Sequence, residues 1–176
     1  IEKYDVQKIN IDIDLLNNNN ELNLETLKNS DIKYKNANYK FNEKFIVSRE
    51  VEKMSKSKFN IVSPDRICEK YGADTLRMYE MFLGPLEQSK PWNTDGITGV
   101  HNFLKKFWNL YHDEIGFNVS DSKPNENSLK ILHKTIKKVN SDIENFSFNT
   151  CVSAFMICVN ELSSLNEKSS EVLRQL

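Results

Sequence analysis

Glu52-Lys53-Met54-Ser55-Lys56-Ser57-Lys58-Phe59-Asn60 is the stretch from which the rest of this chain is best read. Lys53 and Lys56 stand three residues apart, with Ser55 between them and Ser57 after them. No apolar periodicity surrounds them, and Pro64 follows shortly. The pattern predicts a polar loop and not a packed helix or strand. A lysine is a compact charge with three donors, suited to phosphate oxygens whose positions shift during a reaction. Transfer at phosphorus is mostly positioning plus neutralisation of charge developing on oxygen, so such a loop could carry catalysis. Taken alone, a pair of lysines at this spacing is more often a solvated turn.

Downstream the chain reads as helices. Ser63-Pro64-Asp65 is a helix start: a capping hydroxyl, a proline at the first position, and an acid that complements the dipole. That helix should run to about Tyr71 and stop at Gly72. Asp74 then caps a second helix over Thr75–Leu83, ended by Gly84-Pro85, and Leu86–Trp92 is a linker. Thr94 or Asp95 starts what should be the longest helix, to about Tyr111. Its apolar stripe is Ile97, Val100, Leu104, Phe107, Trp108 and Tyr111, with Lys105 and Lys106 on the opposite face. Asp113–Asn127 is a polar loop. Leu129, Leu132, Ile136, Val139 and Ile143 mark the next amphipathic helix, whose outer face carries Lys130, Lys134, Lys137 and Lys138. Those four could touch a phosphate backbone, though a solvated helix face reads the same way. After a break at Phe146–Thr150, residues Val152, Phe155, Met156, Val159 and Leu162 mark a further helix to about Leu165. Ser169–Leu176 begins a last one, cut off, whose Val172, Leu173 and Leu176 should lack part of their partner surface.

Upstream, Ile9, Ile11, Ile13 and Leu15 alternate with Asn10, Asp12 and Asp14, which predicts a half-buried strand. Asn17–Asn20 is a loop, Leu22–Lys28 one or two helical turns, and Asp31–Asn38 irregular. Asn38–Val47 reads as a hairpin turning at Asn42–Glu43, and Val51 should deliver a strand directly into the lysine loop.

The 176 residues carry a formal net charge of −1, and mean hydropathy is −0.58. Near-neutrality excludes a globally basic nucleic-acid binder, so any RNA contact must be local. No apolar run is long enough to span a membrane. The first residues have neither a basic nor an apolar signal-peptide region. With no initial Met and an abrupt end, the chain is expected to be a piece of a longer one. Cys68, Cys151 and Cys158 are dispersed, with no Cys-x-x-Cys and no Cys/His cluster, so no metal site is expected and a reducing cytoplasm fits. His101, His112 and His133 are expected to be structural or solvated.

The string Lys53-Met54-Ser55-Lys56-Ser57 is similar to the second signature, KMSKS, of the class I aminoacyl-tRNA synthetases. Gly72–Arg77, GADTLR, is shared in kind with the valine and isoleucine enzymes. Phe82–Thr94, FLGPLEQSKPWNT, resembles the leucyl-tRNA synthetases of bacterial type, and FNTCVSAFM from Phe148 resembles their anticodon-binding bundle. The resemblance spans Val51–Tyr111 closely and Ser147–Leu165 more loosely. It implies a mainly α chain with a small β portion at its N-terminus. Residues 1–52 would be the end of a Rossmann-type catalytic domain with an insertion and β-hairpin, 53–93 the KMSKS loop and stem-contact module, and 94–176 an incomplete antiparallel, anticodon-binding helix bundle. The short helices of the module would pack under the loop. It further implies a leucine–tRNA ligase activity in the whole protein. That activity uses ATP with Mg2+, leucine and tRNA(Leu), and is expected in a cytoplasmic monomer free of membrane. Lys56 would neutralise the ATP phosphates and Lys53 assist. Ser55 and Ser57 would shape the loop or bind phosphate, and Met54 would anchor it. The rival readings are a valine-, isoleucine- or methionine-specific synthetase, and a stand-alone helical RNA-binding or scaffold module without catalysis. The first class I signature and the leucine pocket are absent from these residues, so this polypeptide alone is expected to be inactive.

Overall fold

The computed structural model describes residues 8–17, 19–39 and 44–176. They form two compact units, Ile1–Ser63 and Pro64–Leu176.

In the second unit, α3 (Pro64–Tyr71) begins at the proline and ends where Gly72 turns with φ 87°. The Gly72 N–H closes the last turn on the Cys68 carbonyl at 2.8 Å. Because Gly72 supplies that turn, α4 (Ala73–Phe82) starts at once, and Asp74 lies inside its first turn and does not cap it. The Tyr79 side chain of α4 is buried, donates its hydroxyl to the Asn93 carbonyl, and stands edge-on to Trp92 at 5.4 Å. Gly96 is required here: a Cβ would come within 2.6 Å of the Tyr79 hydroxyl oxygen. Asn93 caps a 3-10 turn, Thr94–Gly96, by accepting the Asp95 N–H at 2.9 Å, and that turn feeds α5 (Ile97–Tyr111).

Three helices then complete the core. The expected stripe of α5 is present at Ile97 and Val100, which are fully buried, and at the half-buried Leu104, Phe107 and Tyr111. Trp108 departs from it. One residue, about 100° of arc, beyond Phe107, it is 62% exposed and stacks flat on His112 with ring centroids 3.8 Å apart. A two-residue hairpin follows, β1 (His112–Asp113) against β2 (Gly116–Phe117). Its turn is held by the Asp113 carboxylate, which accepts the N–H groups of Ile115 and Gly116. The longest helix is α6 (Glu126–Glu144) and not α5. Its buried stripe is Ser128, Leu132, Thr135, Val139 and Asp142 at four-three spacing, so three polar residues share the face with two apolar ones. Ile143, expected inside, is 49% exposed.

The turn to α7 (Phe148–Ser164) places Phe146 at φ 54° and lets the Ser147 N–H bond the Asp142 carbonyl at 2.8 Å. Three residues of the expected break, Phe148, Asn149 and Thr150, thus join the helix. So short a connection makes α6 and α7 antiparallel neighbours, and α7 also packs on α4 and α5. Leu110, Leu132, Cys158, Val159, Leu162, Val172 and Leu173 form the core. The last two belong to α8 (Ser170–Leu173) and are at most 2% exposed. They are covered by the bundle itself, contrary to the expectation that they would lack partner surface.

The link before α8 is densely bonded. Lys168 Nζ donates to the Asn109 and Leu110 carbonyls at the end of α5, at 3.2 and 2.7 Å. The Ser120 N–H reaches the Lys168 carbonyl and the Ser170 N–H reaches the Ser120 carbonyl, each at 2.8 Å. Glu167, buried, accepts the Ser169 N–H at 2.7 Å. Tyr111 donates its hydroxyl to the Leu173 carbonyl.

In the first unit the alternating Ile9–Leu15 segment is not a strand. Ile9 is 53% exposed and Ile13–Leu15 is a 3-10 turn, because Asp12 accepts the Asp14 N–H and so favours a tight local turn over an extended chain. The asparagine loop is present: Asn17 Oδ1 accepts the N–H groups of Asn19 and Glu21, Asn20 sits at φ 59°, and Leu16 bridges Leu22. The turn of the hairpin expected over Asn38–Val47 lies outside the described residues. Phe45–Val47 pairs with Asn20–Leu22, through Leu22 N–H to the Phe45 carbonyl and Val47 N–H to the Asn20 carbonyl. Helix α1 (Leu24–Ser30) is capped by Asn23, and α2 (Ile32–Lys35), capped by Asp31, occupies a stretch expected to be irregular. Val51, 86% exposed, lies outside any strand.

Leu162→Ala removes a fully buried side chain and should lower stability by about 2–5 kcal/mol in urea unfolding, whereas Trp108→Ala should change it by less than about 0.5 kcal/mol. Acid should weaken the bundle. The Lys138 ammonium, first, and a hydroxyl beside it hold the Asp142 carboxyl below its usual range, against the opposing effect of burial. A carboxyl depressed in the folded state stabilises the fold above its unfolded pKa, and that contribution disappears as pH falls through the folded value. Thermal melts should therefore drop steeply below about pH 4, and Asp142→Asn should flatten that drop.

Candidate functional site

Residues 52–60 form a closed, solvent-facing loop in the first unit. A 3-10 turn covers Lys56–Lys58, with Ser55 at its cap and Phe59 leaving it at φ 54°. The Lys58 N–H bonds the Ser55 carbonyl at 3.1 Å, and the Ser55 and Ser57 hydroxyls lie 3.2 Å apart. Lys58 pairs with Glu52. That hydrogen bond, and then the Lys58 charge, holds the Glu52 carboxyl below its usual range.

Lys53 and Lys56 are exposed, and neither makes an ion pair among the described residues. The loop therefore sorts its three lysines: Lys58 closes it, while Lys53 and Lys56 face solvent with their charge uncompensated. Met54, expected to anchor the loop, is 43% exposed. Asn60, which no motif reasoning singled out, is half-buried and bonds back to Ser55 and Lys53. Its only signal in the sequence is an amide residue placed just past a polar turn.

The four lysines of α6 do not act alike. Lys134 and Lys137 are exposed, Lys130 faces Glu126 at 3.9 Å, and Lys138 is engaged by the buried Asp142. The basic face is thus reduced to Lys130, Lys134 and Lys137, about one helical turn apart. His101 contacts Thr75 and the edge of Tyr71, His112 stacks on Trp108, and His133 is exposed. Among the described residues no group of three or more His, Cys, Asp or Glu could hold a metal ion, and no helix is long and apolar enough to cross a membrane.

The sequence model of the tRNA synthetases class I (I, L, M and V) matches residues 27–91, which include the whole lysine loop, α3 and α4. The chain belongs to this class of proteins. Within it, the similarity is to leucine–tRNA ligases and runs the full length of the chain. The leucine–tRNA ligase of Christiangramia forsetii is 61% identical over all of this chain and 18% of its own. That of Flavobacterium johnsoniae is 58% identical over all of this chain and 19% of its own. That of Porphyromonas gingivalis is 51% identical over 98% of this chain. The chain spans less than a fifth of the length of these curated relatives. A crystal structure of the ternary complex of Agrobacterium radiobacter K84 agnB2 LeuRS, tRNA and LeuAMS superposes with a TM-score of 0.50. It is 25% identical, over 69% of this chain and 17% of that one.

Replacing Lys58 by Met should return the Glu52 carboxyl toward its ordinary range. Side-chain carbon NMR across an acid titration would show Glu52 titrating at higher pH in the variant than in the parent chain.

Proposed function

We propose that this chain is the part of a leucine–tRNA ligase that brings positive charge to the phosphates of ATP. In that reaction a leucine carboxylate oxygen attacks the α-phosphorus, pyrophosphate leaves, and the leucyl group passes from the adenylate to the 3′ end of tRNA(Leu). Mg2+ enters with ATP as part of the substrate. Negative charge builds on the departing pyrophosphate oxygens, and a mobile ammonium group meets it there most strongly in the transition state.

The observation that carries the reading is the sorting of the loop lysines. Lys56 and Lys53 are left exposed and uncompensated in a chain that matches leucine–tRNA ligases from end to end. Lys56 neutralises the phosphates as the adenylate forms and Lys53 assists from the start of the loop. The hydroxyls of Ser55 and Ser57 shape the turn or donate to phosphate, and Met54, at the loop surface, makes its contacts with the rest of the enzyme.

The bundle serves tRNA. Lys130, Lys134 and Lys137 offer a row of positive charge to its phosphate backbone, with Lys138 held back by Asp142. The whole ligase works as a cytoplasmic monomer, and this chain alone, lacking the leucine pocket, is inactive.

In the full-length ligase, Lys56→Ala should slow leucine-dependent ATP–pyrophosphate exchange by about a hundredfold or more while the KM for leucine moves less than about twofold. A matching loss in leucine affinity would remove Lys56 from this role.

A further inference from the structure

Beside the Glu52–Lys58 pair, one side chain ties the two ends of the loop together. Asn60 Oδ1 accepts the main-chain N–H of Ser55 at 2.9 Å. Its Nδ2 donates to the Lys53 carbonyl at 3.4 Å, seven residues back. A side-chain amide can accept and donate at once along a strip of backbone, as a neighbouring strand would. These two bonds bracket Met54 and hold the segment that carries Lys53 and leads directly into Lys56. Asn60 is half-buried while Lys53, Met54, Lys56, Ser57 and Phe59 around it are exposed. The other long tie, Glu52 to Lys58, is an exposed ion pair, and salt screens it. The amide bonds are neutral and persist at the ionic strength at which the enzyme works.

We propose that Asn60 is a positioning residue for the ATP chemistry: it pins the Lys53–Ser55 backbone so that the Lys56 ammonium is presented from a fixed base. The proposal rests on the phosphate-neutralising reading of Lys56 given above. Asn60 itself touches no phosphate and acts through Lys56. The Ser55 N–H is taken by Asn60 and is not offered to phosphate.

A double-mutant cycle in the full-length ligase tests this. Asn60→Ala should lower the rate of ATP–pyrophosphate exchange about tenfold, the usual scale for losing a positioning hydrogen bond, without changing the KM for leucine. It should also speed tryptic cleavage after Lys53, Lys56 and Lys58, read by mass spectrometry under native conditions. In a Lys56→Ala background the same substitution should add less than about a twofold loss, because the residue it positions is gone. Asn60→Asp keeps the acceptor for Ser55 and should retain more of the rate than Asn60→Ala; it also carries the cycle if the alanine variant fails to fold. An equal loss from Asn60→Ala in both backgrounds, or unchanged cleavage, would overturn the positioning role. A Lys56→Ala enzyme as fast as the parent would instead overturn the reading of the loop itself.

Discussion

The bundle depends on a buried carboxylate and an adjacent ammonium that look in opposite directions. Burial raises the pKa of Glu167, yet hydrogen bonds, including main-chain N–H groups of Ser169, Asn125 and Lys168, more than offset that and keep the carboxyl ionised below its ordinary range. The next side chain, Lys168, turns the other way and satisfies two carbonyls at the end of α5, where the helix dipole also favours a cation. Between them the main chain of Lys168 and Ser170 brackets Ser120. One tetrapeptide thereby ties together the end of α5, the loop entering α6 and the start of α8. The link leads directly into Val172 and Leu173, which lie in the core with Leu132 and Leu162. The apolar burial is the larger energy, but the polar link decides which surfaces meet.

The lysine loop is built on the opposite plan. Its cations are outside, its apolar residues Met54 and Phe59 are exposed, and its shape comes from a few local hydrogen bonds. Few contacts hold such a segment, and Asn60 supplies two of them. Charge there is arranged by subtraction. Glu52 takes up Lys58, and the remaining two lysines stay exposed without an ion pair among the described residues.

Much of the second unit was legible because helices announce themselves twice, by capping residues and by period. Pro64, Gly72 and the Ile97–Tyr111 stripe apart from Trp108 were read correctly for those reasons. What periodicity could not show was polar burial. Ser128, Thr135 and Asp142 share the inner face of α6, and each looks like a surface residue in isolation. Trp108 failed for the complementary reason: an aromatic near the stripe is not necessarily on it. The Ile9–Leu15 alternation misled because a two-residue period says nothing about whether a partner strand exists, and a short aspartate turn prevailed locally. In the loop, the lysines and serines were visible as chemistry. Asn60 was not, since a residue that acts through backbone contacts seven positions away leaves no spacing to recognise.

The two tryptophans of the chain stand in contrasting surroundings. Trp92 is half-buried, bonded to Thr94 and met edge-on by Tyr79, so its emission follows the integrity of the α4–α5 junction. Trp108 lies in solvent against a single imidazole, the stacked ring of His112. The molecule thus carries two built-in optical probes, one reporting the packing of the α4–α5 junction and the other the solvent-facing end of α5.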